Sequence, residues 1–391
     1  MNELEELTKI TQRTLQLNNQ DSPESATHAN PPASWSYSDE RLFALEKREL
    51  FGRHPLLVGF SCDIAKPGDF VTLDDLEVPV LITRDNQGQA NALLNICSHR
   101  AARLKEGTGN SRSISCPYHA WNFGLDGKLK KIFKEDSFGA VDKCDYNLQT
   151  LPCIEKYGML FICLDADATL DVDQHLGDLG PWLQLWEFEQ TAFVDEYQWQ
   201  AKGNWKHALD SLCRDYHGAL LKGTSTPQAA LESITDDDRF GPNRQHHRLT
   251  FASDALDTLR DSDSETWASE TLHSVRRVHF LFPNISLLIS PLAVELFILY
   301  PGSEPDQHLI RYRSYQRLNP ATAEQGHDAQ SHFEAMRELI HQHSQSRAND
   351  DVSTGIGPII DTQRACLTAI GLDPDSPVRP DQDSTTDVAA R

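Results

Sequence analysis

The chain has 391 residues, with 58 Asp and Glu against 36 Lys and Arg, and a formal charge of −22. That balance argues against a nucleic acid partner, since a phosphate backbone calls for a basic footprint and the Lys and Arg here form no long cluster. The length accommodates a sizeable core and two domains rather than one, and no apolar run is long enough to span a bilayer.

The N-terminal stretch MNELEELTKITQRTLQLNNQ is polar and reads as neither anchor nor secretory signal, so a cytoplasmic protein without a membrane partner is expected. Residues 1 to about 35 pass from a short acidic helix candidate into DSPESATHANPPAS, a linker by composition. SDERLFALEKRELFGRHPLLVGF follows, with a cap signal at Ser38-Asp39 and Leu42, Phe43, Leu45, Leu50 and Phe51 at helical intervals. From Asp69 to Leu129 the pattern shifts to short strands: FVTLDDL, VPVLITRDNQG, ANALLNIC and RSISCPYHAWNF. Hairpin turns are expected at Asp85-Asn86-Gln87-Gly88 and at Asp126-Gly127. Residues 145 to 165 add two strands and close a small antiparallel β domain.

After GDLGPWLQLW comes a second region beginning with TAFVDEYQWQAKGNWKHAL. Long strands are expected at VRRVHFLFP, NISLLIS, VELFILYPG and HLIRYRSYQRL. A helix follows at SHFEAMRELIHQH, with Phe333, Met336, Leu339 and Ile340 on one face. The tail after Leu372 reads as disordered by composition. The expected fold class is α+β, divided into a leader over 1–35, an opening helix and β domain over 36–165, a sheet-and-helix domain over 166–372, and a tail over 373–391.

The stretch from Asn95 to Leu129 carries the chemistry. Cys97 and His99 are separated by one residue, Cys116 and His119 by two, and sixteen residues lie between the pairs. Two thiolates and two imidazoles suit a Rieske-type [2Fe-2S] cluster, with the cysteines on one iron and the histidines on the other. Tetrahedral zinc accepts the same donors, but zinc-finger spacing groups Cys with Cys and His with His, whereas each pair here mixes them. The other six cysteines, Cys62, Cys144, Cys153, Cys163, Cys213 and Cys366, show no disulfide-like pairing and are expected to be reduced, buried small hydrophobes.

The motifs CSHR, CPYHAW and LDGKL resemble the cluster loops of Rieske non-haem iron oxygenases, the ring-hydroxylating and demethylating enzymes. The resemblance covers roughly residues 36 to 370. It implies a helix-grip catalytic domain, an NAD(P)H-fed reductase or ferredoxin as electron donor, a trimeric ring of like or unlike subunits, and a mononuclear Fe(II) on two histidines and a carboxylate. The strongly acidic chain would repel an acidic ferredoxin, which favours a flavin-type reductase.

The segment matching the iron site is NWKHALDSLCRDYHGALLKG. Asn204, Trp205, Lys206, the Asp210-Ser211 pair and Tyr216-His217 follow the family pattern. Lys222 stands where the resemblance implies the second histidine ligand, and Arg214 where it implies a bridging acid. Counting back eight residues from Gln363 puts Gly355 at the late Asp, with Asp350, Asp351 and Asp361 nearby. An ammonium has no lone pair for a metal and a guanidinium keeps its charge, so these residues argue against mononuclear iron in this chain. The other histidines of this region are His207, His246, His247, His273 and His279, and none has the paired spacing of a ligand set. His207 lies about three helical turns from His217. His246-His247 read as a solvated loop pair and His279 as a core-edge histidine with a hydrogen-bonded partner.

Overall fold

A computed structural model describes residues 34–76, 78–212, 234–251, 276–290, 292–318, 329–346 and 362–372. The leader, the C-terminal tail, Arg214, His217, Lys222, His273, Gly355 and the three nearby aspartates lie outside the described residues.

Helix α1 (Glu40–Glu46) begins where the cap signal placed it, with the Asp39 carboxylate accepting from the amides of Arg41 and Leu42. A π-helical turn, Lys47–Phe51, carries the chain into strand β1 (Leu56–Phe60), which is buried along its length. Strands β2 (Asp69–Leu73), β3 (Val80–Arg84), β4 (Ala90–Leu94), β5 (Thr108–Asn110), β6 (Ile114–Ser115), β7 (Asn122–Phe123), β8 (Leu129–Lys131), β9 (Thr150–Leu151), β10 (Cys153–Lys156) and β11 (Met159–Ile162) build three small sheets, in the orders β5-β2-β3-β4-β9, β6-β7-β8 and β1-β11-β10. Every pairing is antiparallel.

Both predicted turns form. The Asp85 carboxylate accepts from the amides of Gln87 and Gln89, and Gly88 and Gly127 take positive φ, which a glycine adopts without strain. RSISCPYHAWNF, expected as one strand, is instead two two-residue strands around a loop, because Cys116 to Ala120 turns back on itself.

Two short helices, α2 (Val172–Leu176) and α3 (Leu179–Gln184), occupy the stretch read as a connection. The second region is a seven-stranded antiparallel sheet made of β12 (Thr191–Lys202), β13 (Ile234–Phe240), β14 (His246–Phe251), β15 (Arg276–Leu281), β16 (Ile285–Ile289), β17 (Ala293–Pro301) and β18 (Gln307–Arg317), ordered β12-β18-β17-β16-β15-β14-β13. Strand β17, AVELFILYP, is buried on both faces over eight residues, which suits its apolar run; the one charged residue in it, Glu295, accepts from the hydroxyls of Tyr312 and Ser314. Strand β12 is an edge strand with polar residues along it, a composition that discourages further pairing. Helices α4 (Trp205–Ser211), α5 (Ala329–Ser346) and α6 (Thr362–Ala369) complete the region. Helix α5 packs on β12 and β18, and α4 on β17, β18 and α6. Phe333 and Met336 of α5 are buried, as the helical spacing predicts.

Three expectations are corrected. His246 and His247 are not solvated: they open β14 and are buried. His279 is no edge residue, since β15 runs between β14 and β16 and the residue is 1% exposed; its Nδ1 is buried without a hydrogen-bond partner among the described residues. Cys144 is exposed rather than buried, and Cys62 and Cys153 are partly covered, while Cys163 and Cys366 are buried as expected.

Candidate cluster site

The two Cys/His loops have the same backbone design. The Cys97 amide donates to the Ala102 carbonyl (2.8 Å) and the Ala101 amide to the Cys97 carbonyl (2.9 Å). In the second loop the Cys116 amide donates to Trp121 O (2.8 Å) and the Ala120 amide to Cys116 O (3.1 Å). Each loop closes through an alanine four residues after its cysteine, with φ of 55° at Ala101 and 54° at Ala120. A left-handed alanine costs roughly 1 kcal/mol, so paired strain of this kind marks loops held by their surroundings. The sequence held the signal, an alanine at Cys+4 in both CSHRA and CPYHA, and reasoning from ligand spacing missed it.

Side chains lock the first loop in place. The fully buried Asn95 amide spans to Lys105, accepting from its N–H (3.0 Å) and donating to its carbonyl (2.8 Å), and Ser98 Oγ donates to Tyr146 O (2.7 Å). Below both loops lies a separate apolar cluster including Phe70, Leu81, Leu93, Trp121, Phe123 and Leu129, which also takes in Cys97 and Cys116.

Cys97, His99, Cys116 and His119 line one surface-open cavity of about 930 Å³. The cysteines sit at its floor, 2% and 4% exposed, and His119 stands at the exposed lip. The two imidazoles approach to 4.8 Å between ring centroids. Burial pushes the Cys97 thiol up; the N–H groups of His99 and Arg100, donating to its sulfur, pull it back down, and Cys116 adds to the rise. Burial, then His119 and Arg100, lower the His99 pKa, which keeps the imidazole neutral with a lone pair to give. His99 Nδ1 is buried with no hydrogen-bond partner among the described residues. An orphaned imidazole nitrogen beside two buried thiols is the donor set a diiron cluster satisfies.

Of the segment NWKHALDSLCRDYHGALLKG, the structure describes only residues 204–212. Asn204 caps α4, accepting from the Lys206 amide (3.0 Å). Lys206, 1% exposed, bonds Glu46 of α1 (2.5 Å), and His207 stacks on Tyr37 with centroids 3.6 Å apart. The NWK segment therefore ties helices together, and the His207 ring lies against Tyr37.

A small antiparallel cluster domain followed by a helix-backed antiparallel sheet defines an iron–sulfur oxygenase architecture. The Rieske [2Fe-2S] domain family matches residues 54–152, and the ring hydroxylating alpha subunit (catalytic domain) family matches residues 188–357. The chain belongs to the Rieske oxygenase α-subunit family. It is 34% identical over 215 residues to the biphenyl 2,3-dioxygenase subunit alpha of Rhodococcus jostii, covering 53% of this chain and 46% of that one. Over 183 residues it is 32% identical to the glycine betaine monooxygenase oxygenase subunit of Chromohalobacter salexigens, covering 46% and 40%. These matches span somewhat less than half the length of the relatives. A quaternary ammonium Rieske monooxygenase superposes with a TM-score of 0.67 at 20% identity, over 89% of this chain and 99% of that one. Naphthalene 1,2-dioxygenase from Rhodococcus sp. gives 0.62 at 19% identity, over 93% and 97%, and these structures share the fold. No helix among the described residues is long and apolar enough to cross a membrane.

Proposed function

We propose that this chain is an oxygenase-component subunit whose [2Fe-2S] cluster carries electrons to iron in a neighbouring active α subunit, its own mononuclear site having been lost. Cys97 and Cys116 would hold one iron, and His99 and His119 the other. The cluster supplies one-electron storage. The protein's part is to bury the thiol side, support the Cys97 sulfur with two amides, and leave the His119 edge at the surface. The setting is a cytoplasmic, NAD(P)H- and O2-dependent hydroxylase or demethylase system, with a trimeric ring of mixed subunits and a reductase or ferredoxin as donor. From Cys97 to Tyr146 the chain has nine Lys and Arg against six Asp and Glu, the reverse of its overall balance. An acidic donor therefore meets local attraction at the cluster face, and the overall charge is a poor guide to the donor's sign.

The observation that carries this reading is the contrast between a complete cluster set and cations at two positions of the iron set, Arg214 and Lys222. An emptied pocket would leave Asp210, Asp215 and His217 without their balancing cation, and basic side chains offset that charge. Iron analysis tests it: about two irons per chain are expected, and about three would overturn it. The triple change Lys222→His, Arg214→Glu and Gly355→Asp is expected to add the missing iron; no gain would refute the placement of the ligands.

The match of the catalytic-domain family to residues 188–357 favours a second reading, an active oxygenase that hydroxylates or demethylates a small organic substrate with atypical ligands including His217. The same iron count separates the two.

A further inference from the structure

The two cluster loops match in backbone but differ at the residue that closes them. Five residues past each cysteine stands Ala102 in the first loop and Trp121 in the second. We propose that Trp121 is a positioning residue for His99, fixing the plane of that imidazole and biasing the cluster toward its oxidised state. The inference rests on the [2Fe-2S] reading of the site.

Four observations support it. The indole lies parallel to the His99 ring, 5° between planes and 4.7 Å between centroids. Trp121 is itself held, 1% exposed, with Phe138 (5.6 Å, 75°) and Tyr146 (5.3 Å, 74°) packed edge-on against it. Phe138 also meets the His99 ring edge-on at 5.6 Å. Finally, the Trp121 carbonyl accepts the Cys116 amide, so one residue closes the second loop through its backbone and grips the first loop's histidine through its side chain. Any displacement of one loop is felt by the other.

The imidazole of His99 has few other restraints. Its buried Nδ1 makes no hydrogen bond among the described residues, so apart from the iron it would bind, the plane of the ring is set by the indole and by Phe138. His119, by contrast, is exposed, and its ring contacts among the described residues are His99 and, loosely, Tyr118 at 6.4 Å. The two histidines are thus unequal, one held by a stack and one at the surface. The face of an indole carries negative potential, which favours the more positively charged partner. An imidazole bound to an oxidised cluster is more electron-poor than one bound to a reduced cluster, so the stack favours the oxidised state and lowers the midpoint potential.

The test compares Trp121→Leu, which keeps apolar bulk without a ring, with Trp121→Phe, which keeps a ring. The full-length protein is used, with electron paramagnetic resonance of the reduced cluster, redox titration, chelator challenge and thermal melting. The Leu variant is expected to show a raised midpoint potential, broadened g values and several-fold faster iron loss. The Phe variant should recover most of each. If both variants melt earlier yet keep the wild-type potential and g values, Trp121 is core packing and the proposal fails. Should the Leu protein not accumulate, Tyr146→Ala loosens the indole without a ring contact to His99, and a positive shift in potential is again required. A wild-type protein lacking the reduced-cluster signal would instead refute the cluster reading itself.

Discussion

Ala101 and Ala120 each hold a left-handed backbone that glycine adopts freely and a β-branched residue resists. Ala101→Gly is expected to be tolerated, changing stability by less than about 1 kcal/mol as relief of strain offsets lost chain entropy. Ala120→Val should cost more than that and speed cluster loss, read by absorbance during chelator challenge. The buried histidines make a separate prediction. His246 accepts from the Phe282 amide at Nδ1 (3.1 Å), so its Nε2–H donates to the His175 carbonyl (2.7 Å) and the ring is neutral. Burial lowers its pKa to about 4, and His175 falls well below its usual value for the same reason. The unfolded chain takes up these protons near pH 6.5 and the folded chain only at lower pH. Stability from His246 is therefore complete above pH 6.5 and declines toward pH 4, by up to about 3 kcal/mol. Denaturant melts between pH 7 and 5 should show the decline, and His246→Gln should flatten it.

At the scale of elements, Lys206 and Glu46 join α4 to α1, both essentially inaccessible, at 2.5 Å. Burial raises the Glu46 pKa while the ammonium opposes the rise, and Lys206 also donates to the Ser36 carbonyl (3.2 Å). Removing one partner leaves an uncompensated buried charge, so Lys206→Met should cost about 3–5 kcal/mol, whereas the double change with Glu46→Leu should recover most of it. Chemical denaturation of the three variants measures the coupling. In the sequence Lys206 stood only as a family-pattern residue, because its partner lies 160 positions away. Strand and helix types were legible where alternation, apolar runs and the Asp39 cap give local signals, whereas α2, α3, β13 and β14 were not read from the sequence. The split of RSISCPYHAWNF was not, because the turn depends on hydrogen bonds that spacing rules do not register.

Across the whole molecule, the two regions share one apolar core that runs from Leu42 and Phe60 through Ile162 to Leu296 and Tyr315. A buried polar seam crosses it. Asp63 accepts from Arg313 (2.7 Å), the Tyr315 hydroxyl (3.1 Å) and the Phe60 amide (2.8 Å), and Arg311 reaches Asp75 at 2.6 Å. Both regions are therefore expected to melt in a single calorimetric transition, and two resolved transitions would contradict this coupling.

The sequence by itself determined the Rieske cofactor chemistry and the antiparallel strand pattern, because each follows from residue type and short-range spacing; the bearing of Arg214 and Lys222 on an iron site is part of the proposal, since it comes from the family resemblance. Only the tertiary structure decided which histidines are buried, that Lys206 holds a helix, and that Trp121 lies flat on His99. Those outcomes depend on segments brought together from distant parts of the chain, where burial and ring geometry, rather than residue type, set what a side chain does.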